Sequence, residues 1–207
     1  MAPVSLWAAG YQKQGRCITL SLPAKPKQAK TVRLTIVSDN IIRVEATPED
    51  AIPQKRKSLV VVNREGKYTA DVKEDDRMVT VETAAIIAKV EKQTGKLTFI
   101  DKTTGKVLLQ EADGSKTFTK YVSNQTELPE NYRPTSPDEV NWGKKTDLYK
   151  LSLEDRSGYS WHALFESDAD EAFYGLGQHQ SEEMNYKGRN EELFQYNTKV
   201  AIPFVVS

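Results

Sequence analysis

The sequence predicts an all-β protein, a mainly antiparallel β-sandwich, and three observations carry that reading. Apolar residues recur with a period of two in most of the apolar segments, those segments are rich in β-branched residues, and short turns containing Gly, Asn or Asp separate them. At 207 residues the chain is long enough for one well-buried core. A single domain over residues 1–207 is therefore expected.

The first clear strand is Thr31–Val37, where Val32, Leu34 and Ile36 alternate with Thr31, Arg33 and Thr35. Ser38-Asp39-Asn40 supplies turn formers, and Ile42, Val44 and Ala46 resume the alternation, so the pair reads as a hairpin. Arg77–Thr83 and Ile86–Val90 follow the same pattern. Gln93-Thr94-Gly95-Lys96 and Thr103-Thr104-Gly105-Lys106 repeat one turn formula ahead of the apolar runs Leu97–Ile100 and Val107–Leu109. Glycine there suits a left-handed turn residue, which makes 84–111 a three-stranded meander. A long polar loop with Pro129, Pro134 and Pro137 is expected at 123–147. Strands resume at Leu148–Leu153 and Tyr159–Phe165, Ser167–Ala172 allows a single capped turn, and Val200–Val206 closes the chain as an apolar strand.

Composition removes several function classes. Lys and Arg together number 29, as do Asp and Glu, and no basic run forms a stripe, so no nucleic-acid partner is expected. The longest apolar runs fall far below the roughly 18 residues of a membrane helix, so no membrane partner is expected either. Cys17 has no cysteine to pair with, and His162 and His179 alone do not make a ligand cluster. No metal or cofactor is expected. No signal-peptide pattern is present near Met1. The compartment stays open: periplasmic or secreted for a processed protein, cytoplasmic otherwise.

The stretch Phe173-Tyr-Gly-Leu-Gly-Gln-His-Gln180 first suggests a phosphate loop. A dinucleotide fingerprint would need a third glycine where Gln180 stands, and then a helix. Spacing instead favours a tight backbone path at Gly175 and Gly177. His162 and His179 are candidates for an acid/base pair, against the reading that His162 is hydrogen-bonded or exposed and His179 orients a loop. The neighbouring carboxylates Asp75-Asp76, Glu182-Glu183 and Glu191-Glu192 read as solvated charge, since adjacent strand residues face opposite ways. From Gln178 to Thr198 the chain is dense in amides and rings: Gln178, Gln180, Asn185, Tyr186, Asn190, Gln195, Tyr196 and Asn197. Such groups bind sugar hydroxyls and faces, or equally satisfy loop backbone.

Four ordered elements, Phe173–Gln180, Asn185-Tyr-Lys-Gly188, Leu193-Phe-Gln-Tyr-Asn-Thr198 and Ile202-Pro-Phe204, together resemble the N-terminal β-sandwich of glycoside hydrolase family 31, the α-glucosidases and α-xylosidases. Val37–Val44 and the Thr-Gly-Lys hairpins resemble its early strands. The resemblance implies a galactose mutarotase-like fold. It also implies further strands past Ser207 and a (β/α)8 barrel that carries two catalytic aspartates, so the chain is expected to hold no catalytic residue. The activity implied for the parent is retaining hydrolysis of α-linked oligosaccharides.

By the same resemblance, Asn197-Thr198-Lys199 falls where the N-terminal domain reaches the barrel pocket, with Gln178 and His179 as a supporting loop. Gln195, Asn197 and Lys199 share a parity, so a regular strand over 193–199 would direct them to one face. The substrate-binding candidates are thus Gln178, His179, Gln195, Asn197, Thr198 and Lys199. Family α-glucosidases tend to have Asp where Lys199 stands, and the GQHQ and QYNT wording is closer to α-xylosidase-like members. A stand-alone carbohydrate-binding module and an independent mutarotase-like epimerase are the alternatives. An unpaired Val200–Val206 edge would favour self-association.

Overall fold

The computed structural model describes residues 10–53, 66–121, 158–179, 184–195 and 197–207. The loop expected at 123–147, the strand expected at 148–153, the Glu182-Glu183 pair and the candidates Gln180 and Tyr196 lie outside the described residues. Among those described, every regular element is a strand, and all strand pairs are antiparallel. The chain forms two compact units, Met1–Phe165 and Glu166–Ser207.

The first unit contains a four-stranded sheet of β1 (Tyr11–Gln14), β2 (Cys17–Ser21), β3 (Thr31–Ser38) and β4 (Ile41–Thr47), in that order. A five-stranded meander follows: β5 (Asp71–Glu74), β6 (Met78–Glu82), β7 (Ile86–Glu91), β8 (Leu97–Asp101) and β9 (Val107–Gln110). Side chains from the two sheets meet in one core. Ile18, Leu20, Val32, Leu34 and Ile36 come from the first sheet, and Val79, Val81, Ala88, Val90 and Leu97 from the second. This is the sandwich that the period of two anticipates, because alternate residues of each strand share its inner face.

Strand β4 departs from simple alternation. Ile42 and Ala46 pack against the core, whereas Val44 is exposed, and the β3–β4 register shifts between Ile36 and Ser38. The β1–β2 hairpin, turning at Gly15 in the left-handed region (φ 57°), was not anticipated from the sequence. The expected strand at 159–165 is shorter: β11 (Gly158–His162) pairs with β10 (Thr117–Tyr121), and Phe165 makes an isolated bridge to Glu111.

Both Thr-Gly-Lys turns use one construction. The Gly95 amide donates to the Glu91 carbonyl and the Gly105 amide to the Asp101 carbonyl, at 2.7 and 2.9 Å, with both glycines at φ 72°. The acid that opens each turn also accepts from its threonine, Thr94 to Glu91 and Thr104 to Asp101. Nearby, the buried Lys116 ammonium donates to the Gly95 carbonyl and pairs with buried Glu111, whose Oε2 also accepts the Leu97 amide at 2.9 Å. Burial pushes the Lys116 ammonium below its usual range, against the pull of Glu111.

The second unit is a ribbon of β12 (Tyr174–Gln178) against β13 (Val200–Val206) with a connection between them. Glu171 closes the single turn expected before the motif, its amide donating to the Asp168 carbonyl.

Candidate functional site

The Gly-Leu-Gly segment forms a bulge in the β12–β13 ribbon. Gly175, Leu176 and Gly177 take positive φ angles of 108°, 61° and 106°, and the register slips between Gly175 and Gly177. A Cβ at Gly177 would stand 2.0 Å from the Val200 carbonyl oxygen, and one at Gly175 2.6 Å from that of Phe204. The glycines therefore serve close approach of two strands, as the spacing favoured.

The bulge turns the Leu176 carbonyl toward the ring of His179, whose Nε2 donates to it at 2.7 Å. The ring is almost fully buried, and Tyr186 meets it edge-on with centroids 5.9 Å apart. Its Nδ1 stands 3.1 Å from Glu191 Oε1, within ion-pair range though off the line of a hydrogen bond. The same Oε1 accepts from the Lys199 ammonium, which also donates to the Glu192 carbonyl at 2.9 Å. Lys199 holds the Glu191 carboxyl below the usual glutamate range, with the His179 ring adding to the effect.

His179 and Lys199 are thus brought together, and the group that joins them was missed. Glu191 is not solvated charge: its side chain is only 17% exposed. No local spacing rule links residues 179, 191 and 199 in an irregular connection, so nothing in the sequence separated Glu191 from the other acids. His162 is exposed at the end of β11 in the first unit.

Among the described residues of 193–199, the expected regular strand is not present. Asn197 and Thr198 form a turn, Lys199 a bridge, and β13 starts only at Val200, so the shared parity does not direct the three side chains to one face. Short polar residues favour that turn, and the Lys199 tether draws the chain back. Gln178, Gln195, Asn197 and Thr198 are exposed. Asn185 is used by the backbone, its Oδ1 accepting the amides of Phe173 and Lys187, both at 3.0 Å. Among the described residues, no three His, Cys, Asp or Glu side chains converge to hold a metal ion. No helix is long and apolar enough to cross a membrane there either.

Residues 31–207 match the family model of the glycosyl hydrolase 31 N-terminal galactose mutarotase-like domain. The chain belongs to that family. The match takes in β3, the Gly-Leu-Gly bulge and β13, and the resemblance read from those segments holds. The crystal structure of a family 31 α-xylosidase from Xanthomonas citri is 30% identical, with a TM-score of 0.73 over 94% of this chain. A family 31 α-xylosidase from a soil metagenome, solved with xylose, is 18% identical (TM-score 0.57, 95% of the chain), and a Flavobacterium johnsoniae family 31 dextranase, solved as a mutant with isomaltotriose, 17% (0.55, 95%). At those lower identities the likeness is one of fold. The chain spans 18%, 26% and 20% of the three proteins' own lengths.

Proposed function

We propose that this chain is the N-terminal, non-catalytic domain of a retaining α-glycoside hydrolase, α-xylosidase-like or α-glucosidase. Its substrate is an α-linked oligosaccharide, and the catalytic carboxylates belong to a barrel in the same polypeptide. The observation that carries this is the family match, joined to 30% identity with an α-xylosidase over nearly the whole chain. Because the match runs through both compact units, 1–207 is read as a single domain.

In this reading the turn at Asn197-Thr198 borders the substrate pocket. Exposed Gln178, Gln195, Asn197 and Thr198 offer the donors and acceptors that sugar hydroxyls need. His179 and Lys199 hold them from behind. The test is to assay the intact polypeptide and the 207-residue chain on nitrophenyl α-xyloside and α-glucoside. The intact polypeptide is expected to hydrolyse one of them and the chain neither; turnover by the chain itself would refute the assignment.

A second reading, sugar binding by the chain alone, draws on Trp161, 64% exposed on β11 beside Tyr159 and Phe118. Calorimetric titration of the chain with xylose and isomaltose separates the two, since only this second reading expects heat that is lost with Trp161→Ala.

A further inference from the structure

The connection between β12 and β13 leaves the ribbon at His179 and rejoins it at Lys199, directly beyond the last register pair, Gln178 with Val200. Both neck residues reach the same oxygen, Oε1 of Glu191, which comes from inside the connection. Two further bonds shorten the segment beyond it: the Lys199 ammonium to the Glu192 carbonyl at 2.9 Å, and the Phe194 amide to that same carbonyl at 2.8 Å. Glu191 and Lys199, which flank Gln195, Asn197 and Thr198 in the chain, are thereby held together by one carboxylate.

We propose that Glu191 is a positioning residue for sugar recognition, a stitch across the neck of this connection that holds Asn197 and Thr198 in the orientation in which they meet substrate. This rests on the reading that the turn borders the pocket. A carboxylate suits the role because it receives a cation from one side and an imidazole from the other, and its side chain is shielded enough for the pair to exceed an ordinary surface ion pair. Glu191 itself touches no sugar in this account. Its loss leaves Lys199 and His179 facing each other without the charge that draws them together. The turn then samples other orientations, and substrate must select the competent one at the expense of apparent affinity.

The test uses the intact polypeptide and measures kcat and KM, thermal melts, and amide hydrogen exchange of the 193–199 segment. Glu191→Ala is expected to raise KM about tenfold, the scale of one charge-assisted hydrogen bond, and to leave kcat within about twofold. Lys199→Met should do the same, the double variant should be no worse than either single one, and Lys199→Arg should restore near-normal KM. Should Glu191→Ala fail to fold, the isosteric Glu191→Gln takes its place, with a smaller rise in KM expected. Faster exchange and a lowered melt with KM unchanged would overturn the proposal, making Glu191 a brace for the ribbon alone; so would fully additive losses from Glu191 and Lys199. Asn197→Ala separates this idea from the reading beneath it. If it raises KM while Glu191→Ala does not, the stitch fails and the pocket reading stands. If Glu191→Ala raises KM while Asn197→Ala does nothing, the pocket role of Asn197 fails and the stitch stands only if Thr198→Ala raises KM in its place; no rise there either overturns it.

Discussion

The ammonium of Lys199, one residue before β13, pairs with the carboxylate of Glu191 across the neck of the connection that leaves β12. The pair carries a pH dependence whose sign is fixed. Lys199 lowers the folded-state affinity of the Glu191 carboxylate for a proton, so the open state binds that proton more readily. The stabilisation is complete above the ordinary glutamate range and is lost as pH falls through the lowered folded value. Protection of the amides at 197–201, taken as the observed exchange relative to the intrinsic rate at each pH, is therefore expected to fall on acidification in the wild type and to show no such step in Glu191→Gln. An identical step in both would remove Glu191 as its source.

Gly177 separates close approach from mere backbone freedom. Gly177→Ala would set a Cβ at 2.0 Å from the Val200 carbonyl at φ 106°, while Gly105→Ala at φ 72° meets nothing within 4 Å. The second should cost about 1 kcal/mol from backbone conformation, and the first at least about 2–3 kcal/mol with loss of the β12–β13 pairing. Thermal melts with exchange at Val200 and Ala201 check both.

The buried pair of Glu111 and Lys116 is expected to behave asymmetrically. Lys116→Met leaves a buried carboxylate that still accepts the Leu97 amide but has lost its cation, and should destabilise by about 3–5 kcal/mol. Adding Glu111→Gln, which retains an acceptor for that amide, should recover part of the loss. Chemical denaturation of the two variants tests this, and no recovery in the second would contradict it.

In the ribbon of β12 and β13, Ile202, Phe204 and Val206 are each about half exposed or more, at 50%, 63% and 48%. Apolar strand edges of this kind pair with other chains, so the 207-residue chain studied alone should self-associate, and Phe204→Lys should shift it toward monomer. Sedimentation at several concentrations measures the shift; a wild-type chain that stays monomeric throughout would contradict it.

Wherever one face of a strand meets the core, the sequence was easy to read. Val32, Leu34 and Ile36 are fully buried as their alternation implies, and Gly95 and Gly105 take the left-handed angles that their turns require. Short elements were harder: β2 buries Ile18 and Leu20 within only five residues, too brief a repeat to stand out. Candidate site residues were legible one at a time but not as a group. Lys199 and His179 are joined through Glu191, a contact made by chain reversal, whereas the parity argument for 193–199 assumed a strand that the Asn197-Thr198 turn interrupts.

The most direct measurement of the central claim is kcat/KM of Asn197→Ala in the intact polypeptide on two or three α-linked disaccharides, with thermal melts alongside. Losing a sugar-facing amide should cost about 1–3 kcal/mol of substrate binding, unevenly among sugars. The account predicts a changed ranking of substrates with an unchanged melt. A lowered melt with the ranking intact would contradict it and make the turn a contact between domains.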